Sequence, residues 1–360
     1  MGLQIIKPDT KIDFIGSKTK AFIVSALLIL LGLGSLVMNG GPKYGIDFAG
    51  GIVVQVKFDK EVGVKTVKSA LKEAKLPGLV VQSFGHDDDN EILLRTSSSD
   101  ISSSEVRDNI SAGLESGMNG TGFEIQRLEM VGPKVGADLR TKALEALFYA
   151  VLLIAIYISG RFEKRWFAAA IMAGGLFAGI TALQMLGMST TVLIFGALLI
   201  TVGLCWYLKL NYALGAIVAL IHDIMITVGI FSLLGKEFDL TIIAALLTII
   251  GYSLNDTIIV FDRIRENLLG KISDSLAETI NISINQTLSR TILTSGTTLL
   301  VVAALFALGG GVIHDFALAL LIGVGVGTYS SIFVASPILL GFGTGIIEED
   351  SDDAEEAEAV

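Results

Sequence analysis

The stretch GYSLNDTIIVFDRIREN, residues 251–267, places Asn255, Asp256, Asp262 and Arg263 at the end of an apolar run that begins at Leu240. His222 and Asp223 lie about halfway along a second apolar run, and Arg290 opens a third within LSRTILTSGTT. An ionised side chain at the centre of a bilayer costs about 2.5–3.5 kcal/mol on insertion scales unless it is paired or hydrated. Residues carried there against that cost are candidates for function. The chemistry they suggest is proton binding and release: a neighbouring arginine favours the charged carboxylate and a dry site the neutral acid, so alternate opening and closing would switch the group. Each elementary charge crossing the field is worth about 2.3 kcal/mol per 100 mV, enough to bias a conformational cycle. Asp256, in the inner third of its run, is the leading candidate, Arg290 its expected partner and Asp223 a second site. The competing reading of His222 and Asp223 is a helix–helix hydrogen bond, and Asp262 and Arg263 at the border suit solvated or capping roles equally well.

Other chemistries find little support. No G-x-x-x-x-G-K-[ST] occurs, since LLGKIS lacks the first glycine, so ATP hydrolysis is not expected. Gly323, Gly325 and Gly327 in GVGVGTYSS fall inside an apolar helix, where small residues serve close packing. Ser159 lacks a G-x-S-G context and no G-x-G-D accompanies any aspartate, which argues against intramembrane proteolysis and against an enzyme in general. The single cysteine, Cys205, lies in an apolar run and offers neither a disulfide framework nor a metal cluster. No cofactor, metal or nucleic acid is expected.

The elements that must position these residues follow from composition. The chain of 360 residues is 52% hydrophobic and 17% charged, with a mean hydropathy of +0.69, as expected of a polytopic membrane protein. Much of the net charge of -10 comes from the ending EEDSDDAEEAEAV, and residues 346–360 read as a disordered acidic tail. About eight apolar runs approach the roughly 20 residues needed to span a bilayer, near 20–38, 142–160, 166–187, 190–208, 211–234, 240–261, 287–308 and 316–340. Lysines and arginines flank one end of these runs: Lys18 and Lys20 before the first, Arg161 and Lys164 after the second, Lys209 after the fourth, Arg263, Arg265 and Lys271 after the sixth. That bias puts residues 1–19 and the C-terminus in the cytoplasm. The first run, longer than a secretory signal core, reads as an uncleaved span.

Residues 41–140 then lie outside, and there the periodicity changes. GIVVQVKF, GLVVQSF, EILLRTS and FEIQRLEMV read as strands, with helices at 62–75 and about 103–116. The order βαββαβ predicts an α+β ferredoxin-like domain of about 100 residues. It holds no cluster of metal-ligating residues, so a mechanical or adhesive role is expected.

YGIDFAGG (44–51), VGPKVGADL (131–139), RFEKR (161–165), ALIHDI (219–224), GYSLNDTIIVFDRIREN, QTLSRTILTSGTT (286–298) and GTYSS (327–331) together make the chain similar to the SecF family. SecF is the smaller membrane subunit of the SecD/SecF protein-export complex, related to proton-driven RND transporters. The resemblance implies a pseudo-symmetric membrane domain formed with SecD. It also implies use of the proton-motive force to help draw an unfolded preprotein out of the SecYEG channel, with YajC and YidC as further partners, in the bacterial inner membrane with residues 41–140 periplasmic. It assigns Asp256 as the membrane-embedded aspartate and Arg290 as its partner; Asn255, Asp262, Arg263 and His222 lie in the matching stretches as supporting residues, and Asp223 stays a secondary candidate on its own place in an apolar run.

The family pattern runs from R-F-E almost directly into the helix with His-Asp, whereas about two helices intervene here, within 166–208. An even number leaves the downstream orientation unchanged. Ala49, where threonine is frequent, is a milder departure. Two other readings compete. A small-molecule RND exporter would need two large outer domains, and the chain has one and no internal repeat; a non-conducting scaffold would tolerate neutral substitutions at the polar membrane residues.

Overall fold

The computed structural model describes residues 10–342 apart from 73, 75, 85–89, 98–101, 119, 163–165 and 189. The acidic tail expected at 346–360, all but Asn90 of the polar GHDDDN between the second and third strands (85–90), and Lys164 fall outside the described residues.

After α1 (Lys18–Met38) and a short α2 (Ile46–Ala49), the chain forms β1 (Gly51–Phe58), α3 (Val64–Ala70), β2 (Val80–Phe84), β3 (Glu91–Thr96), α4 (Ser103–Gly117) and β4 (Phe123–Val131). The strands lie in the order β2-β3-β1-β4 with every pair antiparallel, the arrangement expected from βαββαβ. Alternation along β1 turns Ile52, Val54, Val56 and Phe58 onto the face covered by α3 and α4, where Val67, Ile110 and Leu114 are also buried. Ser102 starts α4 by accepting a hydrogen bond from the Glu105 amide, 3.3 Å, a cap worth about 1 kcal/mol. The other face of the sheet, with Gln55 and Arg95, roofs a cavity of about 540 Å³ above the membrane helices.

The sheet is attached through the glycine motif. Gly50 and Gly51 have φ of +76° and +123°, and a Cβ on Gly51 would lie 2.7 Å from the Thr96 carbonyl. Only glycine makes that turn without strain. Just before it, the Gly45 amide donates to the Phe238 carbonyl at 2.7 Å and the Phe238 amide to that of Lys43 at 2.8 Å. The Asp47 carboxylate accepts from the Leu240 amide, 3.0 Å. Arg95 forms an ion pair with Glu237, which Lys43 also approaches at 3.2 Å.

The remaining chain is helical: α5 (Pro133–Phe162), α6 (Trp166–Met185), α7 (Thr190–Tyr207), α8 (Asn211–Leu233), α9 (Leu240–Leu269), α10 (Leu276–Leu308) and α11 (Gly311–Ser330). Among the described residues, α1, α5, α8, α9, α10 and the stretch Ile313–Gly341 are long and apolar enough to cross a membrane. The count of about eight included the pair near 166–208. These are α6 and α7, of 20 and 18 residues, apolar through the described stretches Ala170–Leu183 and Phe195–Tyr207. The protein is thus a multi-pass membrane protein with one small antiparallel sheet domain.

Within the bundle α8 is the central helix, packed against α1, α5, α7, α9 and α11, while α6 and α7 pack on each other and on α5. A widened π turn at Ser331–Ala335 continues α11 toward Pro337, and its extra residue re-aims the side chains that follow.

Candidate functional site

The middle of the bundle holds two buried carboxylates. Asp223, on α8, is 1% exposed. Its Oδ1 lies 2.8 Å from Nδ1 of His222, its sequence neighbour. Its Oδ2 accepts from Ser253 Oγ on α9 at 2.5 Å and from Ser330 Oγ on α11 at 2.8 Å. His222 Nε2 is 2.9 Å from Ser25 Oγ on α1, and Ser25 is 3.1 Å from the hydroxyl of Tyr329, whose ring stacks near the imidazole with centroids 6.0 Å apart. Three helices meet at one carboxyl group, and α1 joins them through His222.

Asp256, one turn beyond Ser253 on α9, is also 1% exposed. Its Oδ2 accepts from Ser295 Oγ of α10 at 3.1 Å, and Thr328 Oγ1 of α11 donates to Ser295 Oγ at 2.8 Å. The GTYSS segment therefore serves both sites: Thr328 turns toward Asp256, Ser330 toward Asp223 and Tyr329 toward Ser25. A Cβ on Gly327 would lie 2.9 Å from that of Ser253, so the glycine is what lets α11 approach α9 closely enough for these hydroxyls to reach. Gly323 plays the same part against Ile249, and a Cβ on Gly325 would meet nothing.

Arg290 precedes Ser295 by five residues on α10, an axial offset of about 7.5 Å. It is exposed on this chain and, among the described contacts, closes no ion pair with Asp256. Asn255 is also exposed, on the outward side of α9. Asp262 accepts from Arg161 at 2.7 Å, tying the RFE motif of α5 to α9, and Arg263 pairs with Glu266 at 2.9 Å. The structure thus gathers Asp223 with His222, sets Asp256 one turn along α9, and leaves Asn255, Asp262, Arg263 and Arg290 off the buried network. Sequence reasoning missed Ser25, Ser253, Ser295, Thr328, Tyr329 and Ser330. The available signal was helical spacing: Ser253 stands three residues before Asp256, on the same face.

Residues 114–205 and 181–345 match the family described as protein export membrane protein SecD/SecF, C-terminal, and residues 36–62 match the SecD/SecF GG motif. The chain is 42% identical over 343 residues to the protein translocase subunit SecF of Magnetococcus marinus, covering 94% of each. It belongs to the SecF family. The SecF of Desulfurispirillum indicum is likewise 42% identical over 334 residues, 91% of each chain. The fold is similar to the crystal structure of SecDF, a translocon-associated membrane protein, from Thermus thermophilus, with a TM-score of 0.68 and 31% identity over 95% of this chain. The match takes in 39% of that longer chain. A SecDF in a super-membrane-facing form matches with a TM-score of 0.56 over 98% of this chain and 40% of that one. Membership in the SecF family gives the protein a role in protein export. The matched GG motif contains the Gly50–Gly51 turn, and the 181–345 match contains both carboxylates and all their hydroxyl partners but Ser25.

Proposed function

We propose that the protein is a proton-coupled accessory subunit that works with SecD at the SecYEG channel, using the proton-motive force to promote late steps of preprotein translocation. The observation that carries this reading is Asp256, a carboxyl group at membrane depth whose only hydrogen-bond partner among the described contacts is a serine. An ionised carboxylate so placed needs either a cation or water, so its charge state is coupled to how the surrounding helices are packed. Asp256 is the titrating group, Arg290 the cation that engages it in another packing state, and Asp223 a second proton site.

Association with SecD is supported by the outward face of α9 and α10, where Thr248, Asn255, Arg290 and Thr297 are all exposed on this chain. Polar side chains turned toward lipid are costly, and a partner's helices would cover them. The positive-charge bias supports cytoplasmic termini in the inner membrane with residues 41–140 periplasmic. YajC, YidC and the unfolded preprotein enter as further partners through the family alone.

The test is preprotein export in cells dependent on this protein, comparing wild type with Asp256→Asn and Arg290→Met at matched abundance and matched recovery of SecD. Loss of gradient-driven export in both assembled variants is expected. Normal export in both would make the charges structural and the protein a scaffold.

A further inference from the structure

The segment before α1 is bound to the bundle by its backbone. Asn285 of α10 accepts from the Ile12 amide and donates to the Ile12 carbonyl, each at 2.9 Å; Asn281, one turn earlier on the same helix face, accepts from the Phe14 amide at 2.9 Å. Two asparagines four residues apart thus hold a stretch of chain that forms no strand or regular helix. The clamp seats Phe14, 7% exposed, against Phe333, with ring centroids 5.7 Å apart. Phe333 lies in the π turn of α11 and meets Tyr329 at 5.1 Å; Tyr329 in turn stacks on His222. An unbroken column of rings runs from the N-terminal segment to the imidazole beside Asp223. Alongside it runs a polar file: Asp223 Oδ1, His222, Ser25 Oγ and the Tyr329 hydroxyl, with successive separations of 2.8, 2.9 and 3.1 Å. The file ends at Tyr329, whose hydroxyl donates to the Ala21 carbonyl at 2.7 Å, beneath the ring that Phe14 covers.

We propose that His222, Ser25 and Tyr329 form a relay from Asp223 toward the cytoplasm, and that Phe14, clamped by Asn281 and Asn285, is the stopper over its end. A proton received at His222 Nδ1 from Asp223 would be matched by one released from Nε2 to Ser25, and Ser25 would release its own to the Tyr329 oxygen as that hydroxyl gives up its proton to water. With Phe14 seated against Phe333, Ser25 is buried and Tyr329 only partly exposed; lifting the segment breaks a few hydrogen bonds, leaves every helix intact and would open the end of the file to water. The inference rests on the proton-coupled reading above and on its orientation.

The test uses the full chain assembled with SecD, with the native cysteine removed by Cys205→Ala and a probe introduced by Ser25→Cys. A membrane-impermeant maleimide is applied from the cytoplasmic side. With Phe14 in place labelling should be slow; Phe14→Ala and the double change Asn281→Ala/Asn285→Ala should accelerate it at least tenfold, and Phe14→Leu less. A Ser232→Cys probe, buried near the opposite end of α8, should label equally slowly in all of them. Equal Ser25→Cys labelling with and without Phe14 would overturn the stopper, and so would parallel acceleration at position 232, which would mean general loosening. The proton-coupled reading fails separately, by normal export in Asp256→Asn, whatever the labelling rates.

Discussion

At the scale of single residues, the buried acids are held by hydroxyls. Asp223 takes two serine donors on one oxygen, from two different helices, and removing either leaves a buried acceptor short of a partner, a loss of about 1–3 kcal/mol. Ser330→Ala and Ser253→Ala should each lower thermal stability by that order, and the double variant by more than the sum because only the second loss leaves the shared acceptor without a donor; strict additivity would mean the two serines act elsewhere. Asp239, in the loop before α9, gives a pH-dependent prediction. Burial, with a further push from Asp47, holds its carboxyl above the usual range, so the ionised form is less favourable folded than unfolded. That cost is absent below the ordinary carboxyl pKa of about 3.9 and grows as pH rises through the raised value. Asp239→Asn keeps the cap to the Ile242 amide, 2.9 Å, and should be the more stable protein at pH 7, with the advantage vanishing near pH 4. Parallel pH profiles for the two would contradict this. Asp223 and Asp256 were legible in the sequence because a charge stands out in an apolar run, whereas serines and threonines are ordinary in membrane helices and only tertiary packing selects the ones that matter. The same packing turned Arg290 outward, which its spacing from Asp256 could not reveal.

At the scale of elements, the sheet domain is joined to the bundle by a turn and a latch. Gly51→Ala forces a Cβ into the Thr96 carbonyl at a φ of +123°, and should cost at least about 1–2 kcal/mol in a thermal melt; an unchanged melting temperature would mean the turn relaxes. The latch is Arg95 with Glu237, both mostly buried. A double-mutant cycle with Arg95→Met and Glu237→Gln should return a coupling of about 1.5–3 kcal/mol, and a value near zero would make the contact incidental. The βαββαβ order was readable because strand and helix periods alternate cleanly through residues 51–131. What the order could not reveal is which face of the sheet meets the membrane helices, since that depends on Arg95 and Glu237, 142 residues apart.

At the scale of the whole molecule, α6 and α7 pack against α5 and, through α7, α8, whereas the outward polar face lies on α9 and α10. A chain from which 166–208 is removed should therefore keep both termini on one side and still copurify with SecD; loss of SecD would mean the inserted pair belongs to that interface. The pair was readable as two apolar runs, but their place in the bundle was not, because a lipid-facing helix and a packed one share the same composition. The central claim is that protons pass through Asp256, and the direct measurement is proton flux into vesicles holding this protein with SecD under an imposed gradient. Conduction by wild type and its loss in Asp256→Asn at equal reconstitution is the predicted result. Equal flux in the two would contradict the claim.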